Sequence, residues 1–194
     1  MLKVTLLSLL LLLFSSFTLG EQAEKPETKC KGLPKEYRFS ALGFELGMCQ
    51  WEVEEILRKQ DKQLEKLKKE GDRPESMKNF IAPYVGAIPP IKPESSYSEF
   101  IFENNVLSQI SASYVYENNS KVAPAFIDLD SILTKKYGQP KWNDPMLKRW
   151  VLGATRIILM IGHKEGEVIV VYTSEVITGE DIEEYKFKKY GEGF

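Results

Sequence analysis

Histidine is nearly absent: the 194 residues contain one, His163. That scarcity excludes most metal sites and any acid–base site built on several imidazoles. Cysteine is almost as sparse, with only Cys30 and Cys49, so the chain is not a disulfide-dense scaffold. An excess of charge of one sign is missing too. The formal net charge is −2, and loss of Lys3 with the leader described below leaves 25 basic against 28 acidic side chains. A near-balanced, slightly acidic surface lacks the positive field that phosphate backbones select, which argues against nucleic acid as a partner. Beyond the first twenty residues no apolar run is long enough to span a bilayer, so no transmembrane segment is expected once the leader is gone. No strand–turn–helix phosphate loop, G-x-S-x-G elbow, H-E-x-x-H pair or calcium loop occurs either.

What is present is a globular composition, 43% hydrophobic and 28% charged, which excludes disorder and collagen-like repeats. Residues 1–20 have the layout of a secretory signal. Lys3 supplies the positive end, residues 4–14 are apolar, and Ser15, Ser16, Thr18 and Gly20 form a small-residue exit. Cleavage is expected after Gly20, which places the mature chain in the periplasm or outside the cell. The apolar stretch falls short of the ~20 residues of a spanning helix, which weighs against the alternative of a retained anchor. In an oxidising compartment Cys30 and Cys49 are expected to pair, closing a loop worth about 3 kcal/mol. The rival reading makes Cys49 a reactive thiol near a helix start.

Residues 21–38, with Pro26 and Pro34, read as an extended lead-in. Residues 39–194 then read as one α+β domain with halves at about 39–116 and 121–178 and a tail from 179 to 194. In the first half, residues 44–48 suggest a short strand or turn ending at Gly47. Trp51, Val53, Ile56, Leu57, Leu64 and Leu67 recur at helical spacing until Gly71 and Pro74. Six basic and three acidic residues over 58–70 read as the solvated face of that helix. The prolines of residues 79–93 point to an extended edge or rigid loop. A hairpin turning at Asn104-Asn105 follows, with Val106, Ile110, Ala112, Tyr114 and Tyr116 on one face of its return strand. Leu107, Ser111 and Ser113 fall on the other.

The second half opens with a helix carrying Phe126, Leu129, Ile132, Leu133 and Tyr137 as its stripe. Pro124 sits in its first turn, and Gly138 and Pro140 end it. Strands are predicted over 149–152, 156–161 and 168–173. Ile157, Leu159 and Ile161 alternate with Ile158 and Met160, which predicts a strand covered on both faces. Each half is thus a helix plus an antiparallel meander, with both helices on one face of a shared sheet.

Two segments resemble known exported proteins. Leu46-Gly47-Met48, Glu52-Val53 and Ile56-Leu57 are similar to the helix-opening motif of small envelope proteins. These include the outer-membrane assembly lipoproteins of the SmpA/BamE type and the β-lactamase inhibitory proteins. Lys136-Tyr137-Gly138-Gln139-Pro140, followed by Trp142 and Trp150, resembles a stretch common in uncharacterised secreted proteins. The resemblance implies a helix-on-antiparallel-sheet fold and a binding or scaffolding role in the envelope. The chain departs from the lipoproteins in having no cysteine after the leader to carry a lipid.

No constellation of residues points to catalysis, to a metal or to a cofactor. His163 falls in a predicted hairpin turn, Asp128 and Asp130 do not face each other on a helix, and Glu180, Asp181, Glu183 and Glu184 read as an exposed acidic turn. Asn118-Asn119-Ser120 fits a glycosylation sequon. Tyr84, Tyr97, Tyr114, Tyr116 and Trp142 are the candidates for an amphipathic contact surface, with burial in the sheet as the alternative. The expected function is therefore a non-enzymatic exported module that binds an envelope or secreted protein. The alternatives are an enzyme inhibitor working through the hairpin tips at 103–105 and 163–166, and a thiol-redox protein using Cys49.

Overall fold

The computed structural model describes residues 30–66, 77–83, 86, 89–162, 164 and 166–176. The leader, Leu67, Tyr84, His163 and the tail lie outside them. The described elements run β1 (Phe39–Ala41), β2 (Phe44–Leu46), α1 (Gln50–Arg58), β3 (Glu65–Lys66), β4 (Met77–Pro83), β5 (Ser95–Glu103) and β6 (Val106–Val115). They continue with α2 (Val122–Tyr137), β7 (Trp142–Asp144), β8 (Leu147–Leu152), β9 (Thr155–Ile161) and β10 (Glu167–Ser174). β1 and β2 form a small hairpin. The other eight strands make one antiparallel sheet in the order β3-β4-β5-β6-β10-β9-β8-β7. The fold is α+β, and each half is a helix followed by a four-stranded meander. The last strands of the two halves, β6 and β10, pair at the centre.

Alternation along each strand decides which side chains meet the core. Phe100, Ile110, Ala112, Tyr114, Val168, Val170, Tyr172, Ile157, Leu159 and Trp150 point to one side and are buried there. α2 lies over β8, β9 and β10 on that side and inserts Val122, Ala125, Phe126, Leu129 and Leu133. The β1–β2 hairpin fills the neighbouring space: Phe44 meets Phe100 edge-on at 5.0 Å, and Phe39 reaches both Tyr137 and Tyr172. α1 contributes Val53 and Leu57 to the same core. Trp150 is enclosed, and its Nε1 donates to Gly138 O at 2.8 Å, tying β8 to the end of α2.

The first helix is shorter than its apolar spacing predicts. It stops at Arg58 because Asp61 takes a left-handed conformation (φ 53°), so that Lys62 N donates to Leu57 O and Asp61 N to Arg58 O. This Schellman arrangement usually uses glycine, and aspartate is one of the few other residues that tolerate it. Leu64 then leads into β3, and Trp51 is exposed, outside the apolar stripe. In α2 the same correction applies to Ile132, which faces solvent while Ala125 takes the core position.

The strands bring further corrections. Residues 77–83 form β4, paired on both sides, and the proline-rich loop begins only after Pro83. β7 was not expected at all, since its three residues are fully exposed. In β6 a bulge at Ser108 shifts the register between Ile101 and Phe102, with Ser108 Oγ donating to Ile101 O. The extra residue turns Leu107 toward the core, opposite Phe102, and not to the other face with Ser111 and Ser113.

Residues 30–38 are less extended than the lead-in reading implies, for Lys35–Tyr37 form one 3-10 turn. Cys30 and Cys49 are joined as a disulfide with Cα atoms 5.9 Å apart. Leu33 N donates to Gly47 O, and Arg38 pairs with Glu52 at 3.2 Å and Glu45 at 3.6 Å. Gly47 is required twice over: its φ is 94°, and a Cβ there would lie 2.8 Å from Leu33. Glu52 Oε2 also accepts from Cys49 N at 2.7 Å, closing the start of α1. Replacing both cysteines by serine is expected to lower unfolding free energy by about 3 kcal/mol. Urea denaturation of the two forms would show this, and an unchanged midpoint would contradict it.

Candidate interaction surface

The side of the sheet away from the helices is built from the alternate residues of the same strands. Register fixes one complete row across it: Glu65, Ile81, Glu99, Ser111, Val171, Ile158, Arg149 and Trp142. The next row runs Pro83, Tyr97, Ser113, Ile169, Met160, Leu147 and Asp144. No described helix lies against these rows. The expectation that β9 is covered on both faces is therefore corrected: Ile157 and Leu159 are enclosed, whereas Ile158 and Met160 are only half-buried. Ile81, Ile101, Ile169, Leu147 and Val151 are half-buried in the same way.

Charge is divided across the face. The β3–β5 side carries Glu65, Glu99 and Glu103 and no cation. The β8–β9 side carries Arg149 and Arg156. Arg156 is paired with Glu175, whereas exposed Arg149 has no ion pair among the described residues. Asp144 Oδ1 is engaged by Met146 N in the β7–β8 turn. Asn79 Nδ2 donates to Glu99 Oε1 at 3.0 Å and fixes that carboxylate on the acidic side.

One carboxylate on this face is buried. Glu167, 5% exposed, accepts from Tyr97 Oη at 2.8 Å. It lies over Gly162, where a Cβ would come within 2.5 Å of Glu167 Oε2, so no larger residue fits beneath it. Burial pushes the Tyr97 phenol up; a hydrogen bond with Ser113 opposes this and the Glu167 carboxylate adds to it. Tyr97, Ser113 and Glu167 thus bridge β5, β6 and β10 and stiffen the end of the face.

The five candidate aromatic residues separate cleanly. Tyr97 and Trp142 lie on the uncovered face, Trp142 with 60% of its surface exposed. Tyr114 and Tyr116 are buried among core side chains and are not available at the surface. Tyr84 lies outside the described residues. Aromatic composition does not identify Arg149, Ile158, Met160 and Glu99; their odd-numbered positions along the same strands as Tyr97 and Ile169 would have.

The hairpin tips do not converge. The β5–β6 turn lies at the start of β6, whereas the β9–β10 turn meets the end of β6, where Tyr116 N donates to Gly166 O. The tips are therefore at opposite ends of the sheet. Cys49 has no free thiol, being bonded to Cys30. Among the described residues no three His, Cys, Asp or Glu side chains converge as metal ligands, and no helix is long and apolar enough to cross a membrane. The fold and surface define an α+β sheet protein with one face packed by helices and one uncovered. Set against known protein families, curated proteins and solved structures, the chain matches none of them.

Tyr116 links the core to a measurable titration. Its Oη donates to Ile91 O, and burial pushes the phenol up to about 12, with the charges of Glu94 and Asp128 adding to the shift. A phenol ionises near 10 in the unfolded chain. The unfolded state therefore loses its proton first, and this contribution to stability is full below pH ~10 and disappears as pH rises toward ~12. Urea midpoints are expected to fall between pH 9 and 11.5, less steeply in Tyr116→Phe; equal slopes would contradict this.

Proposed function

We propose that this chain is an exported, non-enzymatic binding module whose working surface is the uncovered sheet face. The observation that carries the reading is the make-up of that face. Ile81, Ile101, Val171, Ile169, Ile158, Met160 and Leu147 form a continuous apolar strip, bordered by Tyr97, Trp142 and Arg149. Contiguous apolar surface rimmed by polar groups marks interaction sites, and Trp, Tyr and Arg carry much of the binding energy at protein interfaces. The sheet backbone holds these side chains in fixed register, so little ordering entropy is lost on docking. The leader-like start and the Cys30–Cys49 disulfide support a place in the periplasm or outside the cell. Envelope or secreted proteins are then the partners within reach.

The test compares variants that leave the core untouched. Ile158→Asp combined with Trp142→Ala is expected to lose a specific partner recovered from envelope extract by the native chain. Ile127→Asp, on the solvent side of α2, is expected to keep it. Identical recoveries from all three proteins would overturn the reading.

A further inference from the structure

We propose that the occupant of the uncovered face, in the absence of any other partner, is a second copy of this chain; this rests on the reading of that face as a docking surface. The charge pattern is the reason. The row described above is acidic at one end, with Glu65 and Glu99, apolar in the middle, and ends in unpaired Arg149 beside Trp142. Such a row complements itself when reversed.

A two-fold axis along the strands, at the seam between β6 and β10, performs that reversal. It lays β8 of one copy over β4 of the other, with two sheet faces about 10 Å apart. Arg149 then falls over the partner copy's Ile81, between its Glu65 and Glu99, and symmetry makes the contact twice. A two-fold axis across the strands would instead set acidic side against acidic side. Charge therefore selects one of the two face-to-face arrangements. Area is adequate as well. Six strands ~4.8 Å apart and about seven residues long cover roughly 600 Å² in projection, the same order as the ~800 Å² per side of a standard interface.

The experiment is sedimentation velocity on the full exported chain over a hundredfold concentration range, using charge exchange between the two ends of the row. The native chain is expected to dimerise. Arg149→Glu alone, and Glu65→Arg with Glu99→Arg, are each expected to raise the dimer dissociation constant at least ~10-fold. Combining all three changes is expected to restore it to within about threefold of the native value. Thermal unfolding of each variant checks that the exposed substitutions leave the fold intact. A native chain that stays monomeric overturns the inference, as does a dimer indifferent to the single reversals or one that the triple exchange fails to rescue. A monomer that still loses its envelope partner through Ile158→Asp overturns only the second copy and leaves the binding reading standing. Loss of both the dimer and any face-dependent partner overturns the two together.

Discussion

The pairing of β6 with β10 is the constraint on which everything else hangs. Each half of the chain ends in one of these strands, and each would otherwise present a long open edge of unpaired backbone groups. Seven register pairs join them, from Gln109 with Thr173 to Val115 with Glu167. The pairing is antiparallel, so it turns two helix-plus-meander units into one eight-stranded sheet with a single core. Ile110, Ala112 and Tyr114 meet Tyr172, Val170 and Val168 across the seam, and all six are enclosed. A slip of one residue would send these side chains to the open face and bring Ser111, Ser113 and Glu167 into the core.

That register also composes the functional surface. Rows of side chains on the uncovered face cross the seam, so the acidic end comes from the first half and the arginine end from the second. Neither half alone has the full pattern. Rigidity follows from the same pairing, because β6 and β10 are buried on both faces and the Tyr97–Glu167 bond crosses from β5 to β10. The disulfide and the Arg38 ion pairs tie the lead-in to α1 at the other end of the sheet.

Much of the scaffold was legible because local signals agreed with the tertiary outcome. Gly138 (φ 82°) and Pro140 end α2 where expected, and Asn104-Asn105 take the left-handed turn that their residue types favour. Misreadings arose where a weaker residue does a stronger one's task, or where tertiary pairing overrides propensity. Asp61 ends α1 without a glycine. β7 survives as a strand only because β8 pairs with it, and the bulge at Ser108 has no marker in the sequence. For the surface, aromatic residues identified Tyr97 and Trp142 but also two core tyrosines. Residue type reports amphipathicity, whereas only strand parity reports the face. Arg149 and Glu99 were overlooked because their significance lies in the row they share, which forms only once the two halves have paired.

Native-state hydrogen exchange tests the central claim most directly. If the β6–β10 seam unites the sheet, the amides of β6 and β10 should exchange together, at the highest free energy in the molecule, and only through global unfolding. Seam amides that exchange while either meander stays protected would show two separately stable halves, and would contradict the account.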